Sequence, residues 1–427
     1  MSEKHFKSLK LIEPLLRALE EKGYSTPTPI QEQTIPPLLE GKDMMGIAQT
    51  GTGKTAAFLL PILQHLSKDD IRTPGRAPAV LILAPTRELA AQIGASCKVY
   101  GKFLNIEHTV IFGGVKQGSQ VKALKSGIDI LVATPGRLLD LIQQGYISLE
   151  YIEIFVLDEA DRMLDMGFIH DVKKIMNLIP KNTQTLCFSA TMSKEVETLT
   201  RGLLNDPVHV AVTPQATTVE LIEQSVLFVD QVDKEEVLID LLKQEHLKRV
   251  LIFIRTKSRA NKLCKKLTLQ GIKVDAIHGN KSQKQRTQAL SNFKKGRSRV
   301  LVATDIAARG IDVEEISHVI NFDLPNEPEN YVHRIGRTAR AGAKGRAYSF
   351  CAAEERGYLS DIEKLIKQNI EIIKHKKHSN KAQNSRGPFS RSAHKQRNRK
   401  GGFRTNRSRK SKGQGGFRNK ISRPRRQ

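Results

Sequence analysis

At 427 residues with 39% hydrophobic side chains, the chain is long enough for two ordinary domains, each with its own core. No run of 18 apolar residues occurs, and MSEKHFKSLK at the N-terminus has no apolar stretch behind its charges; neither a membrane-spanning helix nor a secretory signal is supported, and a soluble, cytoplasmic protein is expected. Four cysteines at least 77 positions apart exclude a disulfide framework and a C-x-x-C metal pair. They read as buried thiols, and His375 and His378, in a Lys-rich stretch without further ligands, read as structural.

In chain order, short apolar runs alternate with helical patterns, the mark of α/β domains whose parallel sheets are covered by helices. AVLILAP (79–85), DILVATP (129–135), IFVLDEA (154–160) and QTLCFSAT (184–191) fit buried strands of a first domain over residues 1–208. DPVHVAVTPQATTVE (206–220) has turn chemistry and no helical period, so residues 209–219 are expected to be a linker. SVLFVD, RVLIFIRT, VDAIHG, RVLVATD and HVINFD then fit strands of a second domain over 220–373. Residues 374–427 carry 20 Lys plus Arg and no acid, leaving only +6 of the +26 net charge to the rest. Rich in Gly, Ser, Asn and Arg, with lone Phe389, Phe403 and Phe417, this basic tail is expected to be disordered and to bind a polyanion, nucleic acid rather than membrane.

Ligands of open parallel sheets bind beyond the carboxyl ends of the strands, so the polar residues closing these runs should gather on one rim of each domain. The loop Ala48, Gln49, Thr50, Gly51, Thr52, Gly53, Lys54, Thr55 precedes a helical pattern. Its glycines let the backbone approach phosphate, Lys54 would contact the β- and γ-phosphates, and Thr55 would offer a hydroxyl to Mg²⁺. Ala48 stands where the strict pattern has Gly. Asp158 and Glu159 follow an apolar strand about a hundred residues later, one carboxylate for the metal shell and one to orient and deprotonate water.

GYSTPTPIQ, AQTGTGKT, PTRELA, Gly113-Gly114, TPGR, the tetrapeptide Asp-Glu-Ala-Asp itself, SAT, ATDIAARGID and HRIGRTAR stand in the order of the DEAD-box family of ATP-dependent RNA helicases. The resemblance covers residues 6 to about 350 and, in the tail and the spacing of the second domain, is greatest to the bacterial RhlE-type subgroup. It implies two tandem RecA-like domains, with Gln31 reading the adenine edge and Phe6 stacking on the base, so that ATP is chosen over GTP. By the same resemblance Arg337 and Arg340 reach the γ-phosphate from the second domain and Asp312 approaches the ribose. Lys54, Asp158, Glu159 and both arginines would then carry hydrolysis. Ala339, where many relatives have Gly, is expected to be neutral.

The resemblance also implies that Thr86, Arg87, Gly113, Gly114, Thr134 and Arg137, with Gln283, Arg286 and Thr304, hold RNA phosphates and sugars without reading sequence. Each of these also reads singly as a helix cap or turn residue. Ser189 and Thr191 would couple hydrolysis to strand separation, or simply cap the next helix. The expected partners are RNA single strands and short duplexes, with ribosomal-precursor or RNA-decay complexes as family-level expectations. Two rival readings are a DNA helicase and a non-catalytic basic RNA annealer; the presence of Lys54, Glu159 and Arg337 argues against the second.

Overall fold

The structure is a computed structural model. It describes residues 5–385 apart from 50, 68–72, 74–76, 213–221, 245, 309–312, 314–315 and 340–344. The first sheet has seven strands: β1 (Met44–Ile47), β2 (Val80–Leu83), β3 (His108–Ile111), β4 (Ile130–Ala133), β5 (Ile154–Leu157), β6 (Gln184–Ser189) and β7 (Val208–Ala211). Every pairing is parallel, in the order β3-β4-β2-β5-β6-β1-β7. The interior runs VLIL, ILVA and IFVL are buried at all four positions, as strands covered on both faces must be. Val80 and Ile82 pack into one core layer, Leu81 and Leu83 into the other.

Two edge strands were not expected. β3 is only half-buried and carries His108 and Thr109, so it lacks the apolar run of its neighbours. β7 lies in the stretch read as linker, yet it pairs with β1 in register from Met44↔Val208 to Ile47↔Ala211. Val210 is buried while His209 and Ala211 are exposed, the period-two pattern of an edge strand. Residues 209–211 therefore belong to the first domain.

The second sheet comprises β8 (Ile222–Phe228), β9 (Val250–Phe253), β10 (Val274–Ile277), β11 (Val300–Ala303), β12 (His318–Asn321), β13 (Gly345–Cys351) and β14 (Glu371–Ile372). Its order, β10-β11-β9-β12-β13-β8-β14, repeats that of the first sheet strand for strand. The fold also continues past the expected boundary at 373. Ser379 donates its N–H to Phe228 O at 3.0 Å and its hydroxyl to Asp230 at 2.8 Å, and it caps a short helix, Asn380–Asn384, whose Ala382 is fully buried. His375 bonds Phe228 O at 3.1 Å and His378 bonds Gln383 at 2.7 Å, so both imidazoles serve this docking. The remainder of the tail, from residue 386, lies outside the described residues.

Cys97, Cys187 and Cys351 are buried and Cys264 is partly buried, all as free thiols. Among the described residues no helix is long and apolar enough to cross a membrane.

Candidate active site

β6 lies between β1 and β5, so the loop after β1 and the acidic pair after β5 are brought to either side of the Ser-Ala-Thr segment. Ala48 N donates to Ser189 O at 3.0 Å, tying the loop to that segment. Ala48 has no positive φ, which is why its Cβ is tolerated at a position that otherwise holds Gly. Gly53 does need its freedom: at φ +95° a Cβ there would come within 2.6 Å of the Gln31 amide. That amide donates to Gly53 O at 3.1 Å while its oxygen accepts from Thr28 N at 2.9 Å. Gln31 thus fastens the Thr-Pro-Ile-Gln turn to the phosphate loop.

Lys54, at the start of the helix Lys54–Leu66, is 6% exposed and donates to Ala48 O at 2.7 Å. The Thr52 hydroxyl donates to Gln49 O at 2.8 Å, and Thr55 is half-buried on the first turn of that helix. Phe6 is not on the rim surface; it is 4% exposed within the core layer that holds Leu9 and Leu15. Thr50, Asp312 and Arg340 lie outside the described residues.

Asp158 is 2% exposed and accepts from Glu159 N at 2.9 Å. Burial pushes its carboxyl up to about 6, with Lys54 pulling down and the neighbouring Glu159 pushing up. Glu159 occupies a left-handed backbone conformation, φ 54° and ψ 52°, of the kind stored at functional sites. Burial raises its carboxyl too, but Arg162, Lys54 and Arg337 outweigh it, and Glu159 stays below the usual carboxylate range. Arg162 Nη1 lies 2.5 Å from Glu159 Oε2.

Asp161, the last residue of the tetrapeptide, makes the link to the Ser-Ala-Thr segment. Its Oδ2 accepts from Ala190 N at 3.1 Å, Thr191 N at 3.0 Å and the Thr191 hydroxyl at 3.1 Å, and Ser189 Oγ donates to Thr191 O at 2.7 Å. Sequence reading placed the coupling on Ser189 and Thr191 and missed Asp161, although a carboxylate four residues from a strand end is a natural acceptor for turn amides.

The second domain brings its own cations to this place. Arg337, 4% exposed, donates to His333 O at 3.2 Å and lines a small gap between the domains together with Arg162. Arg334 holds Asp305 with two bonds, at 2.5 and 2.7 Å, and donates to Asp323 O at 2.7 Å. It is the residue that fixes the Arg337 turn onto the sheet, and sequence reading did not single it out.

A second cluster spans the rims. Arg87 lies across Gly114, where a Cβ would run into its guanidinium, and reaches Gln283 of the second domain at 3.4 Å. Gln283 donates to Glu88 at 3.2 Å, and Arg286 pairs with the other Glu88 oxygen at 2.8 Å. Arg137 donates to Val115 O at 3.2 Å, holding the loop after Gly113-Gly114. Thr86 caps the helix Arg87–Tyr100 through Leu89 N at 3.2 Å; Thr134 precedes the helix Pro135–Gln143 without a side-chain cap bond. Thr304 follows β11, with its N–H on Ile277 O at 3.3 Å. Burial lowers the Arg87 pKa, and Arg286 and Arg137 lower it further, so three guanidiniums crowd one another here. Among the described residues their carboxylate partners are Glu88, against Arg286, and Asp140, 3.3 Å from Arg137, and a cluster of three crowded guanidiniums of this kind suits phosphate.

A phosphate loop and acidic pair on one of two tandem RecA-like domains, faced by arginines from the other, define a nucleotide-driven motor that acts on nucleic acid. Residues 28–199 match the DEAD/DEAH box helicase model and residues 233–342 the Helicase conserved C-terminal domain model. The chain is 44% identical over 369 residues to the DEAD-box ATP-dependent RNA helicase CshA of Streptococcus pneumoniae, covering 86% of this chain and 70% of that protein. It is 41% identical over 372 residues to DEAD-box ATP-dependent RNA helicase 30 of Arabidopsis thaliana, covering 87% of this chain and 63% of that one. In structure it is similar to S. cerevisiae Dbp5 bound to RNA and ADP BeF3, with TM-score 0.75 and 35% identity over 86% of this chain and 95% of that one. It is also similar to Mss116p bound to ssRNA and AMP-PNP, with TM-score 0.78 and 31% identity over 88% and 80%. The chain belongs to the DEAD-box ATP-dependent RNA helicase family.

Proposed function

We propose that this protein is an RNA-stimulated ATPase whose two domains close on a single strand of RNA and locally open short duplexes. The observation that carries the reading is the small gap between the domains, where first-domain Arg162, 2.5 Å from Glu159, is faced by Arg334 and Arg337 of the second domain. Hydrolysis machinery divided between domains works only when they are together, and an arginine supplied to developing phosphate charge accounts for ~10³–10⁵-fold in rate. Ala48 to Thr55 cradle the phosphates, with Lys54 leaving Ala48 O for the β- and γ-oxygens, while Glu159 orients the attacking water and takes its proton. Arg340 and Asp312 join this set by resemblance, whereas Phe6, buried in the core layer with Leu9 and Leu15, would have to leave it to stack on the base.

Mg²⁺ fits the same residues. Burial raises the Asp158 carboxyl more than Lys54 and Arg162 lower it, and a cation held by Asp158 and the Thr55 hydroxyl would offset that burial. When bound, the metal neutralises charge on the phosphate oxygens.

Arg87, Arg137 and Arg286, beside Gly113, Gly114, Thr134, Gln283 and Thr304, hold the RNA backbone. Such contacts carry no base code, so recognition is largely independent of sequence. The path from acid pair to RNA rim runs through Asp161 to Ser189 and Thr191. Ten base-pair steps hold on the order of 14 kcal/mol, using the DNA average, so local opening is favoured over processive travel.

Steady-state ATP turnover, alone and with RNA or DNA single strands of one sequence, tests this reading, with Glu159→Gln as control. Strong stimulation by RNA only, lost in the variant, is expected. Equal stimulation by DNA, or no turnover with any strand, would overturn it.

A further inference from the structure

Residues 255–299 hold 14 Lys plus Arg and one acid, Asp275, so the rest of the first 373 residues is net negative. They build one edge of the second domain: the helix Lys257–Leu269, the edge strand β10, the helix Gln283–Lys294 and the turn into β11. The two helices lie on opposite faces of the sheet, with Leu263 and Leu267 packed into one core layer and Ala289 and Phe293 into the other. Asp275 is occupied by hydrogen bonds from Asn292, at 3.1 Å, and from Ser298. Ion pairs already hold some of the cations: Arg255 with Glu355, Arg259 with Asp323, Lys266 with Glu235 and Arg286 with Glu88. Lys284, Lys294, Lys295 and Arg297 are exposed, and among the described residues they have no carboxylate within ion-pair distance.

On a helix of 3.6 residues per turn, Lys284, Gln288 and Lys295 share one side, opposite the buried Ala289 and Phe293. The row runs about 16 Å down the helix from the turn whose Gln283 and Arg286 meet Glu88 at the rim. We propose that this row, from Lys284 to Lys295, is a second RNA site, which holds a double-helical segment beside the strand gripped at the rim. Charge points to a polyanion, and continuity with the rim points to RNA. The lack of stacking groups decides between paired and single strands. The rings among residues 255–299 are those of His278 and Phe293, and both are buried. Single strands are held on exposed aromatic rings, whereas a duplex is met through its phosphates and 2′-hydroxyls. The row lies wholly within one domain, so, unlike the rim, it needs neither closure nor ATP. Neither Lys284 nor Lys295 belongs to a motif that carries the family resemblance. The inference rests on RNA being the substrate.

The test compares the full chain with a Lys284→Gln, Lys295→Gln double variant and, on the opposite face, a Lys262→Gln, Lys265→Gln double variant. Affinity for an RNA hairpin and for a single strand of equal length is measured without nucleotide over a salt series, the basic tail being the same in all three proteins. The first variant should weaken hairpin binding roughly tenfold or more at ~0.1 M salt and flatten the slope of log K against log salt by about 1.8, using the B-DNA value per phosphate. Its single-strand binding and RNA-stimulated ATP turnover should be unchanged. The second variant, which removes the same charge, should leave the hairpin slope as it is. Equal loss in the two variants, equal loss for hairpin and single strand, or no loss at all overturns the site. Failure of the intact chain to bind or respond to any RNA would instead overturn the RNA reading itself, so the two failures are distinguishable.

Discussion

Asp158 shows how a single residue trades stability for chemistry. Its folded-state pKa, about 6, lies above the ordinary value of 3.8, so the folded protein binds this proton more tightly than the unfolded chain does. Stability from that proton is present at low pH and is lost as pH rises through about 6. Asp158→Asn, a neutral side chain of the same shape, should therefore raise the melting temperature at pH 8, by up to ~2–3 kcal/mol in stability, and abolish ATP turnover. The gain should shrink as pH falls below about 6, where Asp158 is itself protonated; a gain independent of pH would refute it. Ala339 makes a smaller point at the same scale. The resemblance led to the expectation that Ala for Gly there is neutral, but the residue sits at φ 53°, where a Cβ costs roughly 1–2 kcal/mol. Nothing in the sequence alone shows which alanine has a left-handed backbone.

Among the elements, the helix Lys234–Leu242 follows β8 as Lys54–Leu66 follows β1, and each begins with a buried lysine. Lys54 is held on Ala48 O in the nucleotide loop and draws the Asp158 carboxyl down, whereas Lys234 is closed in by its own domain. Its ammonium donates to Phe322 O at 2.8 Å and Glu355 at 2.6 Å, with Asp323 at 3.5 Å. The same topology thus leaves a rim open in one domain and fills it with ion pairs in the other. Lys234→Met would remove the buried cation from Glu355 and Asp323 and leave them, among the described residues, with the partly exposed Arg255 and Arg259 as cationic partners. It should destabilise the second domain by ~3–5 kcal/mol, read as an earlier transition in denaturant. An unchanged midpoint would mean that the network contributes nothing. The strand runs of both sheets were legible because buried parallel strands are apolar throughout; β1, β3, β7, β13 and β14 were not, being short, mixed in character or lying at an edge.

For the molecule as a whole, the docking of residues 374–385 on the end of β8 changes where the tail begins. Ser379, Ala382 and His375 secure that segment, and the basic charge from residue 386 onward starts from there. Removing residues 386–427 should leave the melting temperature and saturated ATP turnover unchanged while weakening RNA binding. If five cations of that tail engage phosphates, its loss should flatten the slope of log K against log salt by about 3.5. Removing 374–427 should in addition lower the melting temperature, because the surface beneath Ala382 is exposed. Equal melting temperatures for the two truncations would show that the docked segment adds no stability.

The sequence by itself determined the class of fold, the nucleotide loop, the acidic pair and the rim residues, because these depend on local chemistry: apolar runs, glycines beside a helix start, carboxylates after a strand. The tertiary structure decided the partners. Arg162 on Glu159, Asp161 on Thr191 and Arg334 on Asp305 are pairings between charged side chains that sequence spacing leaves undetermined. Across the domains, Glu88 with Arg286 joins residues 198 positions apart. Burial then sets what each pairing does, since a charge removed from water must find its counter-charge within the fold.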